Sequence, residues 1–252
     1  MKLKDKVVLI TGSSRGIGRE AAIKLAQEGA QIIIHYHVNK EAALQVLNEL
    51  TGSGHLMLRA DLTSESQIKE MFDEIVLQKG KIDILVNNAG VFDLLDIHQA
   101  SFEEWKEHWQ KTLSTNLTGP AYLSFFVADL MRKQAGGRII NVSSRGAFRG
   151  EPMAMAYGTS KAGLNAFGQS MAQALAKDHV FVYTIAPGFV ETDMSAPALN
   201  SPIGGQFLNE SPIGRVARPD EVASLIHYCA CDAPDFMTGC IIDINGASYL
   251  RT

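Results

Sequence analysis

Val7-Val8-Leu9-Ile10-Thr11-Gly12-Ser13-Ser14-Arg15-Gly16-Ile17-Gly18 is the stretch that decides the fold. A short apolar run breaks into closely spaced glycines, and the amphipathic segment Ile17–Glu28 follows at once. That order predicts a buried strand, a tight turn and a helix. The same rhythm continues along the chain. Lys6–Thr11, Gln31–Tyr36, His55–Ala60, Ile82–Val86, Arg138–Val142, Val180–Ile185 and Cys240–Ile244 predict strands. They are rich in Val and Ile and nearly continuous rather than alternating, as suits strands covered on both faces of a parallel sheet. Helical patterns fill the gaps at Ile17–Glu28, Lys40–Leu50, Ser64–Lys79, Ser101–Thr115, Thr118–Lys133, Ala156–Lys177 and Pro219–Cys231. Gly29 is placed to stop the first helix, Asp61-Leu62-Thr63-Ser64 to cap the third, and Pro219-Asp220-Glu221 to start the last.

Seven such units predict an α/β fold: an open, doubly wound, Rossmann-type parallel sheet of about seven strands, with helices on both faces. A (β/α)₈ barrel needs an eighth unit, and its phosphate loops usually come late in the chain. No linker or repeat interrupts the rhythm, so residues 1–252 read as one domain. The irregular segment Pro187–Arg215 holds Pro187, Pro197, Pro202 and Pro212 with Gly188, Gly204, Gly205 and Gly214, and reads as a functional loop or lid.

Composition narrows the function classes. The 252 residues are 46% hydrophobic and 20% charged, which excludes a disordered or fibrous chain. A net charge of −4 carries no polybasic signature for nucleic acid or anionic membrane. No apolar run approaches the roughly 18–20 residues of a membrane span, and the charged start Met1–Lys6 has no signal-peptide core. Cys229, Cys231 and Cys240 form neither a disulfide framework nor a zinc spacing. The expectation is a reduced, cytoplasmic protein with no metal, nucleic-acid or membrane partner.

The glycine loop carries the first chemistry. Glycines allow a tight turn and close backbone approach to a pyrophosphate, and the helix start offers free N–H groups to it. The spacing is G-x-x-x-G-x-G, and no Gly-Lys-Ser/Thr closes it as a P-loop would. Gly12-Ser13-Ser14-Arg15-Gly16 also matches the G-x-S-x-G nucleophile elbow. That elbow needs an earlier strand and loop for its oxyanion hole, and the chain before Gly12 is too short to supply them. A site selective for NAD places an acid at the end of the second strand. Tyr36-His37-Val38-Asn39 offers none, while Arg15, with His37, suits a ribose 2′-phosphate. NADP(H) is therefore favoured over NAD(H).

A second constellation lies further on. Tyr157 and Lys161 are four apart in a helical pattern and share a face. A lysine ammonium near a phenol favours the phenolate, which makes Tyr157 a general acid/base near neutral pH. Ser143-Ser144 ends the fifth strand and Asn87-Asn88-Ala89-Gly90 the fourth, at the edge where open sheets bind ligands. Asn116 follows in the helical region.

Together these marks, with Asp61-Leu62, Pro187-Gly188-x-x-x-Thr192, Gly214-Arg215, Pro219-x-Glu221-Val222-Ala223 and Thr238-Gly239, resemble the short-chain dehydrogenase/reductase family over essentially the full length. The texture is most similar to the 3-oxoacyl-[acyl-carrier-protein] reductases. The resemblance implies an NAD(P)-dependent oxidoreductase acting on a ketone or secondary alcohol, and a homotetramer. It implies that Tyr157 moves the proton at the substrate oxygen, Lys161 lowers its pKa and holds the nicotinamide ribose, Ser144 polarises the carbonyl, and Asn116 anchors a water in a proton relay. Gly12, Arg15, Ile17 and Gly18 would cradle the phosphates and ribose. Asp61 and Leu62 would flank the adenine, Asn88, Ala89 and Gly90 line the dinucleotide path, and Pro187, Gly188, Val190 and Thr192 hold the nicotinamide end. Ser14, Gly16, Tyr36 and His37 complete the candidate cofactor set.

For the substrate, Arg145, Phe148, Arg149, Met153 and Phe189 are candidates. An apolar pocket with fixed cations suits an organic acid, a phosphate ester or a coenzyme A thioester. The alternative is internal pairing of the two arginines, with Glu151 or Asp193, or a role at a subunit interface. Asp129 and Gln173 stand where carrier-dependent relatives often show basic residues, which weakens docking of an acidic carrier protein. Other substrate classes, namely small ketones, sugars and steroids, stay open. A nucleotide-sensing protein on the same fold is the non-enzymatic alternative; it need not keep the catalytic residues present here.

Overall fold

A computed structural model describes residues 1–200 and 204–251. Seven strands, β1 (Val7–Ile10), β2 (Gln31–Tyr36), β3 (Leu56–Arg59), β4 (Ile84–Asn87), β5 (Gly137–Val142), β6 (Val180–Pro187) and β7 (Ile241–Ile244), form one sheet in the order β3-β2-β1-β4-β5-β6-β7. Every pairing is parallel. The order reverses between β1 and β4, and this opens a crevice at the carboxyl ends of the strands.

Alternation along β1 separates two cores. Val8 and Ile10 pack with Ala22 and Leu25 of α1 (Gly16–Gln27), Val46 of α2 (Lys40–Glu49) and Ile226 of α9 (Pro219–Cys231). Val7 and Leu9 pack on the other face with Ile68 and Ile75 of α3 (Glu65–Lys79), Leu123 and Val127 of α5 (Gly119–Lys133) and Ala172 of α6 (Met155–Leu175). The near-continuous apolar strands follow from this double covering. The predicted stops and caps are in place. Gly29 adopts φ +89° after α1, and Ser64 Oγ accepts from Gln67 N–H at 3.4 Å.

Two expectations are corrected. The predicted helices Ser101–Thr115 and Thr118–Lys133 are one run: α4 (Phe102–Leu113) enters α5 through a single π turn, Ser114–Thr118. The Pro187–Arg215 segment is not wholly irregular. It holds the short helices α7 (Ala196–Leu199) and α8 (Gly204–Asn209), and Val190 bridges Ala217. Pro202 lies outside the described residues. No helix among the described residues is long and apolar enough to cross a membrane.

Candidate active site

A cleft of about 850 Å³ runs along the carboxyl edge of the sheet, from the glycine loop after β1 to the start of α6. The glycine loop is fitted to its neighbours. Gly12 has φ +64°, and a Cβ there would lie 2.9 Å from Ala89 Cα. Asn88 Nδ2 donates to Thr11 O at 2.9 Å and Gly12 O at 3.1 Å, while Thr11 Oγ1 accepts from Asn88 and Ala89 N–H at 3.0 Å each. Gly16 adopts φ +56° beneath Thr192, so the loop after β6 closes over the glycine loop. Arg15 is the N-cap of α1 and makes no side-chain cap bond. The first amides of α1 are thus left for an anion at the mouth, and a dinucleotide pyrophosphate fits that donor set.

One cradle position gives a direct test. A Cβ on Gly18 would stand 2.5 Å from Gly12 O and 2.6 Å from Asn88 Nδ2. Relieving such overpacking typically costs about 1–3 kcal/mol. Gly18→Ala is expected to lower Tm by roughly 2–12 °C and to weaken nucleotide binding, read by thermal melting and fluorescence titration. An unchanged Tm would show that the loop relaxes freely.

His35 is a site residue that sequence reading missed. It is 2% exposed on β2; Nδ1 accepts from Gly12 N–H at 3.0 Å, and Nε2 stands 3.0 Å from Ala60 O. That bonding requires the neutral ring protonated at Nε2. Burial pushes its pKa down to about 4, so the neutral ring pins the glycine loop near pH 7. A buried histidine in a strand, two residues before His37, was the only hint in the chain.

Tyr36, His37, Asp61 and Leu62 line the same cleft. His37 Nε2 approaches Asp61 at 3.6 Å, and Asp61 Oδ1 accepts from the Thr63 amide and hydroxyl at 2.9 and 2.8 Å. Ser14, Ile17, Gly90, Pro187, Gly188, Val190 and Thr192 also line it.

The other end gathers Asn116, Ser144, Tyr157 and Lys161. The π turn directs the fully buried Asn116 back to the loop after β4. Its Oδ1 accepts from Val91 N–H at 2.8 Å, and its Nδ2 donates to Val91 O at 2.9 Å. Asn116 Oδ1 and Lys161 Nζ lie 3.2 and 3.5 Å from the point a Gly90 Cβ would occupy, so the two converge there. Lys161, 4% exposed, donates to Val142 O at 2.9 Å. Ser144 Oγ accepts from Gly146 N–H at 3.0 Å and is hydrogen-bonded to the Tyr157 phenol.

The electrostatics differ from the expected pair. Desolvation raises the Tyr157 pKa, the Ser144 hydrogen bond opposes it, and the Glu151 charge raises it again. Lys161 stands 5.8 Å from the Tyr157 ring centroid, and its own pKa falls to about 8 through burial. In the free protein the phenol is therefore held protonated. Burial is the largest influence on the phenol.

The substrate candidates separate. Arg145 and Phe189 line the cleft, and the guanidinium faces the Phe189 ring at 5.4 Å. Phe92 joins them, edge-on to Tyr157 at 4.9 Å and to Phe189 at 6.2 Å. Phe148, Arg149 and Met153 are not in the lining. Phe148 lies under Arg251 at 4.2 Å, and Met153 is 40% exposed, with Leu95 N–H donating to its carbonyl at 2.8 Å. The arginines are paired internally. Arg145 bonds Glu210, and Arg149 bonds Glu151 at 3.0 Å and Glu210 at 3.2 Å. Glu210, just past α8, was not foreseen, and Asp193 pairs with Arg15 instead.

A family model for the short chain dehydrogenases matches residues 6–202. The chain belongs to that family. It is 38% identical to a 3-oxoacyl-[acyl-carrier-protein] reductase of Aquifex aeolicus, over 99% of each chain. It is 36% identical to the protein of that name from Thermotoga maritima, over 98% of each. Among solved structures, a short-chain dehydrogenase/reductase of Serratia marcescens superposes with TM-score 0.89 at 29% identity, covering 98% of this chain and 99% of that one. A putative gluconate dehydrogenase from Agrobacterium tumefaciens gives 0.90 at 29% identity, covering 98% and 97%. Membership of the short-chain dehydrogenases makes this chain an oxidoreductase acting on CH–OH groups and implies a nicotinamide cofactor.

Proposed function

We propose that residues 1–252 act as one unit, an NADP(H)-dependent reductase that passes a hydride between nicotinamide and a ketone or secondary alcohol, with 3-oxoacyl thioesters as the substrate class. The observation that carries this is the convergence of Ser144, Tyr157, Lys161 and Asn116 on one end of a cleft whose other end is the glycine loop. The names of the Aquifex and Thermotoga relatives support the thioester.

The bound dinucleotide supplies the hydride. Everything else falls to this chain. Gly12, Ser14, Arg15, Gly16, Ile17 and Gly18 hold the phosphates. Tyr36, His37, Asp61 and Leu62 hold the adenosine end, and Asn88, Ala89 and Gly90 the middle. Pro187, Gly188, Val190 and Thr192 hold the nicotinamide end. Ser144 turns its hydroxyl proton from Tyr157 to the substrate carbonyl oxygen. Tyr157 gives that oxygen its proton as the alkoxide develops. Lys161 and Asn116 return a proton to the phenolate through water beside Gly90. Phe92, Phe189 and the buried part of Arg145 shape the acyl side.

The cofactor preference rests on the adenosine end. No acid closes β2, and the Arg15 side chain is 64% exposed at the rim, 3.4 Å from an equally exposed Asp193. An exposed pair of this kind holds the arginine only weakly, so it is free to meet a 2′-phosphate. Arg15→Ala is expected to lower kcat/KM for NADPH about 10- to 100-fold more than for NADH. Equal losses would remove Arg15 from that role.

For the substrate, Asp129 pairs with Lys133 at 2.7 Å and Gln173 is exposed, so neither offers a cation to an acidic carrier. A coenzyme A or other small thioester is the form proposed. The test follows NADPH absorbance with 3-oxoacyl-coenzyme A, simple ketones, sugars and steroids. The thioester should give the highest kcat/KM. A sugar or steroid in first place overturns the substrate class, and nucleotide binding without turnover on any carbonyl overturns the reductase. Cytoplasmic location and a homotetramer complete the proposal, the latter checked by light scattering.

A further inference from the structure

A chain of alternating charges, Glu151, Arg149, Glu210 and Arg145, borders the proton donor. Glu210 bonds both Arg145 and Arg149, and Arg149 Nε donates to Glu151 Oε1 at 3.0 Å. Glu151 is the member nearest the chemistry. Its Oε1 lies 3.0 Å, and Ser144 Oγ 3.4 Å, from the same point, where a Gly146 Cβ would be. Its Cβ and Cγ lie 3.8 Å from the corresponding point at Gly158, the residue after Tyr157. The carboxylate is thus wedged between two glycines, one following Ser144 by two positions and one adjoining Tyr157. Its side chain is 18% exposed and lines the cleft.

A carboxylate so little hydrated acts on its neighbours mostly through protein rather than water, where charge is weakly screened. The other charged groups bordering Tyr157 are accounted for. Lys161 lies under the ring. Arg145 is tied to Glu210, and Lys111 at the cleft wall to Asp93 at 2.7 Å. Arg149 stands behind Glu151 and offsets part of its charge.

We propose that Glu151 is a positioning residue whose negative charge keeps the transferable proton on the Tyr157 phenol, with Arg149 setting how strongly it does so. This rests on Tyr157 being the acid of the proposed reaction. In the chemical step the Tyr157 O–H bond breaks and its proton goes to the substrate oxygen; Glu151 neither gains nor loses one. The directions found for the phenol agree: desolvation and Glu151 raise its pKa, and the Ser144 hydrogen bond lowers it.

The test is an ultraviolet titration of phenolate absorbance on the full chain, with the matching Tyr157→Phe protein subtracted to isolate one tyrosine. Glu151→Gln keeps the shape and removes the charge. It should move the Tyr157 ionisation down by about half to one pH unit. Arg149→Gln should move it up, and Glu151→Asp should stay near wild type. In turnover, the high-pH fall of kcat/KM for ketone reduction should shift in the same directions, with nucleotide affinity unchanged. Damage to the fold does not produce opposite shifts from two neighbouring variants. If Glu151→Gln does not fold, Arg149→Gln alone decides: an upward shift supports the proposal, and none overturns it. An unmoved Tyr157, or parallel shifts from both variants, also overturns it. The titration needs no substrate. A shifted phenol in a protein that reduces no carbonyl leaves the effect of Glu151 on the phenol standing and removes the reductase, and with it the catalytic use of that proton.

Discussion

Tyr157→Phe is expected to lower kcat for ketone reduction by about 10²–10⁴-fold, the range of a lost general acid, while nucleotide affinity stays within a few fold. The reason is local. The substitution removes one oxygen and keeps the ring, so the edge contact with Phe92 at 4.9 Å and the Lys161 ammonium against the ring face at 5.8 Å are retained. The oxygen lost is the one hydrogen-bonded to Ser144. Stopped-flow reduction and a fluorescence titration of NADPH separate the two effects. Ser144→Ala on top of Tyr157→Phe should add little, because the two act on the same oxygen and such effects do not sum. A variant that keeps half of the wild-type kcat would move the proton donor elsewhere.

Much of the fold was legible because burial and period leave few choices. Strands covered on both faces are rich in Val and Ile rather than alternating with polar residues, and β1 and the Ile32–Ile34 run of β2 show it plainly. What escaped was whatever depends on neighbours distant in sequence. The π turn at Ser114–Thr118 has no composition of its own and reads as a helix break, yet it turns Asn116 into the core. The prolines and glycines of Pro187–Arg215 hide α7 and α8, since the pattern weighs breakers without knowing what packs on them. The candidate site was similarly split. Motif spacing points to Ser144, Tyr157 and Lys161. By contrast, His35 touches Gly12 from 23 positions away and Glu210 meets Arg145 across 65, and neither pairing has a local pattern. Of the two readings given for Arg145 and Arg149, internal pairing is the one found: Glu151 was named from its nearness in sequence, whereas Glu210 has no local signal.

Lys161→Met should both stop turnover and make the protein without added nucleotide more stable. The lysine is 4% exposed and its pKa falls from 10.5 to about 8 on burial. Near pH 7 it is therefore charged in both states, and it is held charged in the folded state against desolvation. At about 1.4 kcal/mol per unit, that opposes folding by at most ~3 kcal/mol. Methionine fills a similar volume without the charge, but Val142 O loses its donor, which costs about 1 kcal/mol. The net gain is on the order of 1–2 kcal/mol, or roughly 2–8 °C in Tm for a chain of this size. The sign with pH is fixed by the direction of the shift. Between pH 8 and 10.5 the unfolded chain binds more protons at this site than the folded one, so wild-type stability rises there. The advantage of the methionine variant should then shrink across that window and be full below pH 8. Thermal melts at pH 7, 9 and 10 check it, alongside a loss of kcat comparable to that of Tyr157→Phe. A variant less stable than wild type at pH 7, or an advantage that does not narrow above pH 8, would mean that Lys161 is not held at a desolvation cost. The same site would then have assembled its proton relay without sacrificing stability.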